Sequence, residues 1–145
     1  FPGGRIDPTD TGPVDAALRE ATEEVGLDRG SVTVIDTLPA LHLSVSDNAV
    51  TPVLGWWRDP HPIGVVDPGE VARVVRAPVA ELLDPARRFT AVAPMIATPG
   101  FDLRGLFVWG FTAMLLDSVF ELGGLSRPWD LRHERPVPTR LMAGG

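Results

Sequence analysis

The stretch Arg19-Glu20-Ala21-Thr22-Glu23-Glu24-Val25-Gly26-Leu27, REATEEVGL, puts three carboxylates within five residues. Like charges at this spacing repel on a helix, at about 0.2–0.5 kcal/mol per pair. The residues before it show which element carries them. Pro13 suits the first turn of a helix, where its missing N–H costs nothing. Val14, Ala17, Leu18, Ala21 and Val25 recur at helical spacing, and Gly26 is a natural stop. A helix is therefore predicted over about 13–25. On a wheel of about 100° per residue, the apolar positions share one side and Glu20, Glu23 and Glu24 another. Arg19 stands four residues before Glu23, the spacing of an ion pair. One arginine cannot offset three carboxylates.

A cluster of oxygens on one rigid face suits a hard divalent cation, Mg²⁺ or Mn²⁺, with room left in its shell for substrate phosphates. An acidic helix face is more often just solvated. The loop in front shifts that balance. Residues 1–12, FPGGRIDPTDTG, are rich in Gly, Pro and Asp. Gly3 and Gly4 permit the close backbone approach that a phosphate or a metal needs.

The rest of the chain narrows the chemistry. Its 145 residues suffice for one domain with one core, and neither repeats nor a second domain are evident. A single domain over 1–145 is expected, with an irregular tail from about Gly123. Cysteine is absent, which excludes disulfides, thiolate metal sites and a cysteine nucleophile, and fits a cytoplasmic protein. All 13 basic residues are arginine, so a lysine phosphate loop or Schiff base is excluded. The net charge of −6 argues against a nucleic-acid surface, and no apolar run approaches the length of a membrane span.

Strands are expected over 31–41, over 49–58 (buried on both faces, with an irregularity at Pro52) and over 70–78. A short helix is expected over 78–84, a hairpin within 85–100, and a strand near 101 passing into a helix over about 109–122. Trp56, Trp57 and Trp109 read as core. His42 and His61 have no partner spacing and receive no role.

The segment GGRIDPTDTGPVDAALREATEEVGL resembles the signature box of the Nudix hydrolases. That box runs from a glycine through an acid to Arg-Glu, an apolar residue, any residue, Glu-Glu, any residue, Gly and an apolar residue. Gly4, Arg19, Glu20, Ala21, Glu23, Glu24, Gly26 and Leu27 match it. Asp10 stands where a glutamate is usual, one residue further from Arg19 than in the general pattern. FPGG, the xDxTD loop, VTPVLGW (50–56), EVARVVRAPVAELLD (70–84) and FVWGFTAMLL (107–116) are similar to the coenzyme A pyrophosphatase branch. That branch carries a further strand, ending in Arg-Ser, before its FPGG, so the resemblance implies a start that lacks it.

The resemblance implies an α/β/α Nudix sandwich with a mixed sheet between helices, and hydrolysis of a pyrophosphate linked to a nucleoside. It implies Mg²⁺ or Mn²⁺ held by Glu20, Glu23 and Glu24 with help from Gly4, and substrate phosphate at Gly3 and Gly4. Arg19 would orient Glu23. Glu20, Glu23 or Glu70 would act as general base, Glu70 from the start of a strand. The expected partner is a small nucleotide such as coenzyme A, without nucleic acid or membrane, and a homodimer is compatible with this reading. ADP-ribose or NADH as substrate, and a weakly active binding module, stand as alternatives.

Overall fold

In the computed structural model, which describes residues 1–43 and 48–142, Pro13–Val25 forms helix α1. Pro13 opens it and Asp15 sits in its first turn, where a carboxylate favours the positive end of the helix dipole. Gly26 closes it with φ 73°, a left-handed conformation that costs glycine nothing and other residues about 1 kcal/mol or more. Its N–H donates to the Thr22 carbonyl at 3.0 Å, and the Leu27 N–H to that of Ala21 at 3.2 Å.

Residues 1–75 and 76–145 form two compact units. The first holds α1, a 3-10 turn at Arg29–Ser31, and strands β1 (Val32–Thr37), β2 (Leu41–Leu43), β3 (Asn48–Val50) and β4 (Val53–Trp57). β1 pairs antiparallel with β4, with a register shift between Val34 and Asp36, and β2 pairs antiparallel with β3. The strand expected over 31–41 is thus broken around Pro39. That expected over 49–58 is broken at Pro52, whose ring removes a ladder donor but whose carbonyl accepts the Leu38 N–H at 2.9 Å. Burial of the second on both faces is not found. Trp56 is 67% exposed, because side chains alternate across a strand and, among the described residues, β4 pairs with β1 alone.

The second unit starts with helix α2 (Val79–Leu82) and a 3-10 turn at Pro85–Arg87. Strands β5 (Arg88–Ala93), β6 (Ile96–Leu103) and β7 (Leu106–Val108) follow, then helix α3 (Gly110–Leu122), strand β8 (Glu134–Pro136) and helix α4 (Thr139–Met142). The sheet order is β7-β6-β5-β8, with β8 parallel to β5 and the other pairs antiparallel. The hairpin expected within 85–100 is β5–β6. Phe89 and Phe101 are fully buried. Phe89, Ala91 and Val137 pack with Phe107, Trp109 and Leu141; Trp109, expected in the core, is partly buried against this cluster.

Two expectations are corrected. Residues 70–78 form no strand; they run through a turn and an extended segment into α2. The tail from Gly123 is not wholly irregular, since it contributes β8 and α4; its residues 143–145 lie outside the described residues. The fold is mixed α/β, with helices and multi-stranded sheets. No described helix is long and apolar enough to cross a membrane.

Candidate metal centre

Glu20 and Glu24 stand one turn apart on α1 and so share a face. The third acid reaches them by way of the loop after β4. The Gly64 N–H donates to the Val25 carbonyl at 3.1 Å, and the Val66 N–H to the Glu24 carbonyl at 3.0 Å. These are carbonyls at the end of α1 that the helix itself cannot satisfy. The Asp67 carboxylate then accepts the Gly69 N–H at 2.8 Å, and its carbonyl accepts the Val71 N–H at 2.9 Å. That turn delivers Glu70. One carboxylate oxygen from each of Glu20, Glu24 and Glu70 lies within 4.8 Å of the others.

Arg19 is the hub of the surrounding charge. Its Nε donates to Asp10 Oδ1 at 3.0 Å and its Nη2 to Asp10 Oδ2 at 3.0 Å, a two-pronged contact that only a planar guanidinium makes. Nη2 also donates to the Arg5 carbonyl at 3.0 Å. Nη1 donates to Glu20 Oε1 at 3.1 Å and to Glu23 Oε2 at 3.0 Å. The Asp10 side chain is only 3% exposed. Its hydrogen bonds from Arg19 hold its carboxyl below the usual aspartate range, and the same bonds push the Arg19 guanidinium higher still. Asp10, despite its shorter side chain and shifted spacing, is thus bound to Arg19, the arginine of the box.

Glu23, expected in the ligand set, does not join Glu20, Glu24 and Glu70. Its side chain is 59% exposed and held by Arg19. Glu24 is the opposite case. It is 9% exposed, and among the described residues no arginine pairs with it. Burial raises its carboxyl above the usual glutamate range, with Glu20 and Glu70 adding to the effect, while the Gly3 N–H hydrogen bond pulls the other way. Gly4 packs against Glu20: a Cβ there would fall 2.1 Å from Glu20 Oε1. Gly3 and Gly4, expected at the substrate phosphates, thus touch Glu24 and Glu20.

The three carboxylates fit a hard divalent cation. Opposite oxygens around a six-coordinate Mg²⁺ stand about 4.2 Å apart, and around Ca²⁺ about 4.8 Å, so oxygens within 4.8 Å of one another can reach a single ion. The donors are all oxygen, and among the described residues no arginine offsets the buried Glu24. Sequence reasoning placed Glu70 at a strand start. Asp67-Pro68-Gly69 is a turn signal that could have placed it at a turn, but the bonds from Gly64 and Val66 to α1 leave no such mark. The parts played by the Arg5 carbonyl and by Asp7, 3.7 Å from Arg19, had no signal in the sequence either.

The NUDIX domain family profile matches residues 1–91. The chain is 44% identical over 124 residues to a protein of Escherichia fergusonii named "Uncharacterized Nudix hydrolase NudL", covering 80% of this chain and 62% of that protein. It is 36% identical over 132 residues to a protein of the same name from Enterobacter, with the same coverage. It is 35% identical over 106 residues to "Nudix hydrolase 3" of Caenorhabditis elegans, covering 70% of this chain and 44% of that protein. The chain thus spans about 62% of the length of the bacterial relatives it matches. With the profile matching well over half of the chain, and with the box folded into a loop, a helix and an acid-lined face, the chain belongs to the Nudix family.

Proposed function

We propose that the chain is a divalent-metal-dependent hydrolase of the pyrophosphate bond in coenzyme A or acyl-coenzyme A. The products would be 3′,5′-ADP and 4′-phosphopantetheine or its acyl form. The observation that carries the metal-dependent part is the meeting of Glu20, Glu24 and Glu70 within 4.8 Å. The coenzyme A part rests on the resemblance of the FPGG loop, the lengthened box and the segments at 50–56, 70–84 and 107–116 to that branch. The family match runs across the boundary between the two compact units, which supports reading them as one domain.

In this reading Glu20, Glu24 and Glu70 hold Mg²⁺ or Mn²⁺. When bound, such an ion polarises a phosphoryl oxygen and lowers the pKa of a bound water. The acids of this chain repel a diphosphate on their own, so substrate affinity should depend on the cation. Arg19 keeps Glu20 in place through Nη1 and is itself fixed by Asp10. Gly4 leaves the space that the Glu20 carboxylate occupies. Glu23, exposed and outside the triad, is the carboxylate left to take the proton of the attacking water; Arg19 fixes its position. Water then attacks one phosphorus, and the bridging oxygen departs with the other phosphate.

The test compares turnover of coenzyme A, ADP-ribose and NADH with Mg²⁺ and with Mn²⁺. Coenzyme A is expected to be hydrolysed fastest, and only with metal. Faster turnover of ADP-ribose or NADH would overturn the substrate assignment. No turnover of any of the three, with metal binding retained, would leave a binding module.

A further inference from the structure

His61 lies on the loop that delivers Glu70 and has no part in the reading above. Its two ring nitrogens have fixed roles. Nε2 stands 3.1 Å from the Asp28 backbone N, which can only donate, so Nε2 accepts. Nδ1 stands 3.0 Å from the Pro62 carbonyl oxygen, which can only accept, so Nδ1 carries the proton. The ring meets Trp57 edge-on at 5.3 Å. This is a neutral imidazole with each nitrogen engaged. A second proton would land on Nε2 and set it against the Asp28 N–H, donor against donor.

Asp28 lies three residues beyond the end of α1 and caps the 3-10 turn at Arg29–Ser31. The His61 bond is therefore the first of a series that lays this loop along the end of α1. Gly64 to Val25, Val66 to Glu24 and the Asp67 turn complete it. Of these ties, His61 alone rests on an imidazole, a side chain that can take up a second proton. The charged groups on the elements around it are already engaged. The Asp28 carboxylate accepts the Gly30 N–H at 2.9 Å, Arg58 and Asp59 pair at 2.9 Å, and Arg29 pairs with Asp15.

We propose that His61 is a proton-sensitive latch, a positioning residue that ties the Glu70-bearing loop to the segment just after α1 when neutral and releases it when protonated. The proposal rests on the reading of Glu70 as a metal ligand, and its test includes a readout that needs no metal. Amide protection factors at Gly64 and Val66 are measured by hydrogen exchange in metal-free protein, and Mn²⁺ affinity by calorimetry. Both are measured at about pH 7.5 and about pH 5.5, spanning the range in which histidines change charge, for wild type, His61→Ala, His61→Gln and Glu70→Gln.

His61→Ala is expected to lower protection at both amides, and to weaken Mn²⁺ about two- to tenfold at the higher pH, the factor carried by one ordinary hydrogen bond. His61→Gln keeps a non-titrating acceptor for the Asp28 N–H, so it should retain protection at both pH values while wild type loses it at the lower one. The difference between these two removes the common effect of protonating carboxylates, and it stands even if His61→Ala does not fold. Equal pH profiles for wild type and His61→Gln would overturn the latch, as would wild-type protection in His61→Ala. Wild-type Mn²⁺ affinity in Glu70→Gln would overturn its link to the metal. Protection behaving as expected in a protein that binds no Mn²⁺ would sink the metal reading and leave the latch standing.

Discussion

Replacing Glu24 by glutamine removes one charge from a buried cluster while keeping an acceptor for the Gly3 N–H. At 4.8 Å, two like charges repel by about 0.9 kcal/mol in water and about 3.5 kcal/mol at an effective dielectric near 20. The Glu24–Glu70 pair lies toward the first limit, because Glu70 is exposed. The Glu24–Glu20 pair lies between them, reduced by the Arg19 charge on Glu20. Without metal, Glu24→Gln is therefore expected to be more stable than wild type at neutral pH by about 1–3 kcal/mol, or about 4 °C in Tm per kcal/mol at this chain length. The sign follows from proton linkage. The folded protein holds the Glu24 proton more tightly than the unfolded chain does. Metal-free wild type thus loses stability as pH rises from the ordinary glutamate value through the raised one, and the loss is complete above it. The variant lacks this fall. Metal reverses the order, since a thousandfold excess over Kd adds about 4.1 kcal/mol to wild type and little to the variant. Thermal unfolding followed by circular dichroism, in EDTA and in Mn²⁺ across the acidic to neutral range, reads all of this. A variant less stable than wild type in EDTA, or one gaining the full metal shift, would refute the reasoning.

Gly4→Ala should drive the Glu20 carboxylate out of place, since the new Cβ would lie 2.1 Å from Oε1. Mn²⁺ affinity measured by calorimetry should fall at least about tenfold, about 1.4 kcal/mol, with the helical circular dichroism unchanged. Arg19→Lys keeps the charge but cannot bind both Asp10 oxygens and still reach Glu20 and Glu23, so kcat should fall about ten- to a hundredfold, the range set by mutation of groups that orient metal ligands, in steady-state assays. Asp10→Asn should remove a stability contribution that wild type has above the ordinary aspartate pKa and loses as pH falls through the lowered one; acid titration of the folded fraction checks it. Gly100→Ala would put a Cβ 2.3 Å from the fully buried Phe89 ring, and should cost about 1–3 kcal/mol by overpacking in urea unfolding, without changing the Mn²⁺ affinity of the folded protein.

What could be read from the sequence was whatever is encoded locally. The start, the apolar stripe and the end of α1 each depend on residues within one turn of one another, and so does the pairing of Arg19 with Glu23. The misreadings arise where the chain answers to a distant partner. EVARVVR has the β-branched composition of a strand, but β-propensity expresses packing against neighbouring strands, and residues 71–77 join no ladder among the described residues. Glu134–Pro136 shows the reverse. It is charged and bounded by proline, yet it pairs in parallel with β5, more than forty residues earlier in the chain, a partnership that no local pattern announces. The candidate metal centre divides along the same line. Glu20 and Glu24 share a face because helical geometry puts them there. Glu23, their neighbour in sequence, turns to Arg19, and its place beside them goes to Glu70, carried in by backbone bonds from Gly64 and Val66 to the end of the helix. The proposed ligand set closes only when a loop docks. The two helical acids are in place whenever α1 is folded, while the third follows the stability of the loop, so agents that loosen residues 61–70 should weaken the cation before they unfold the helix.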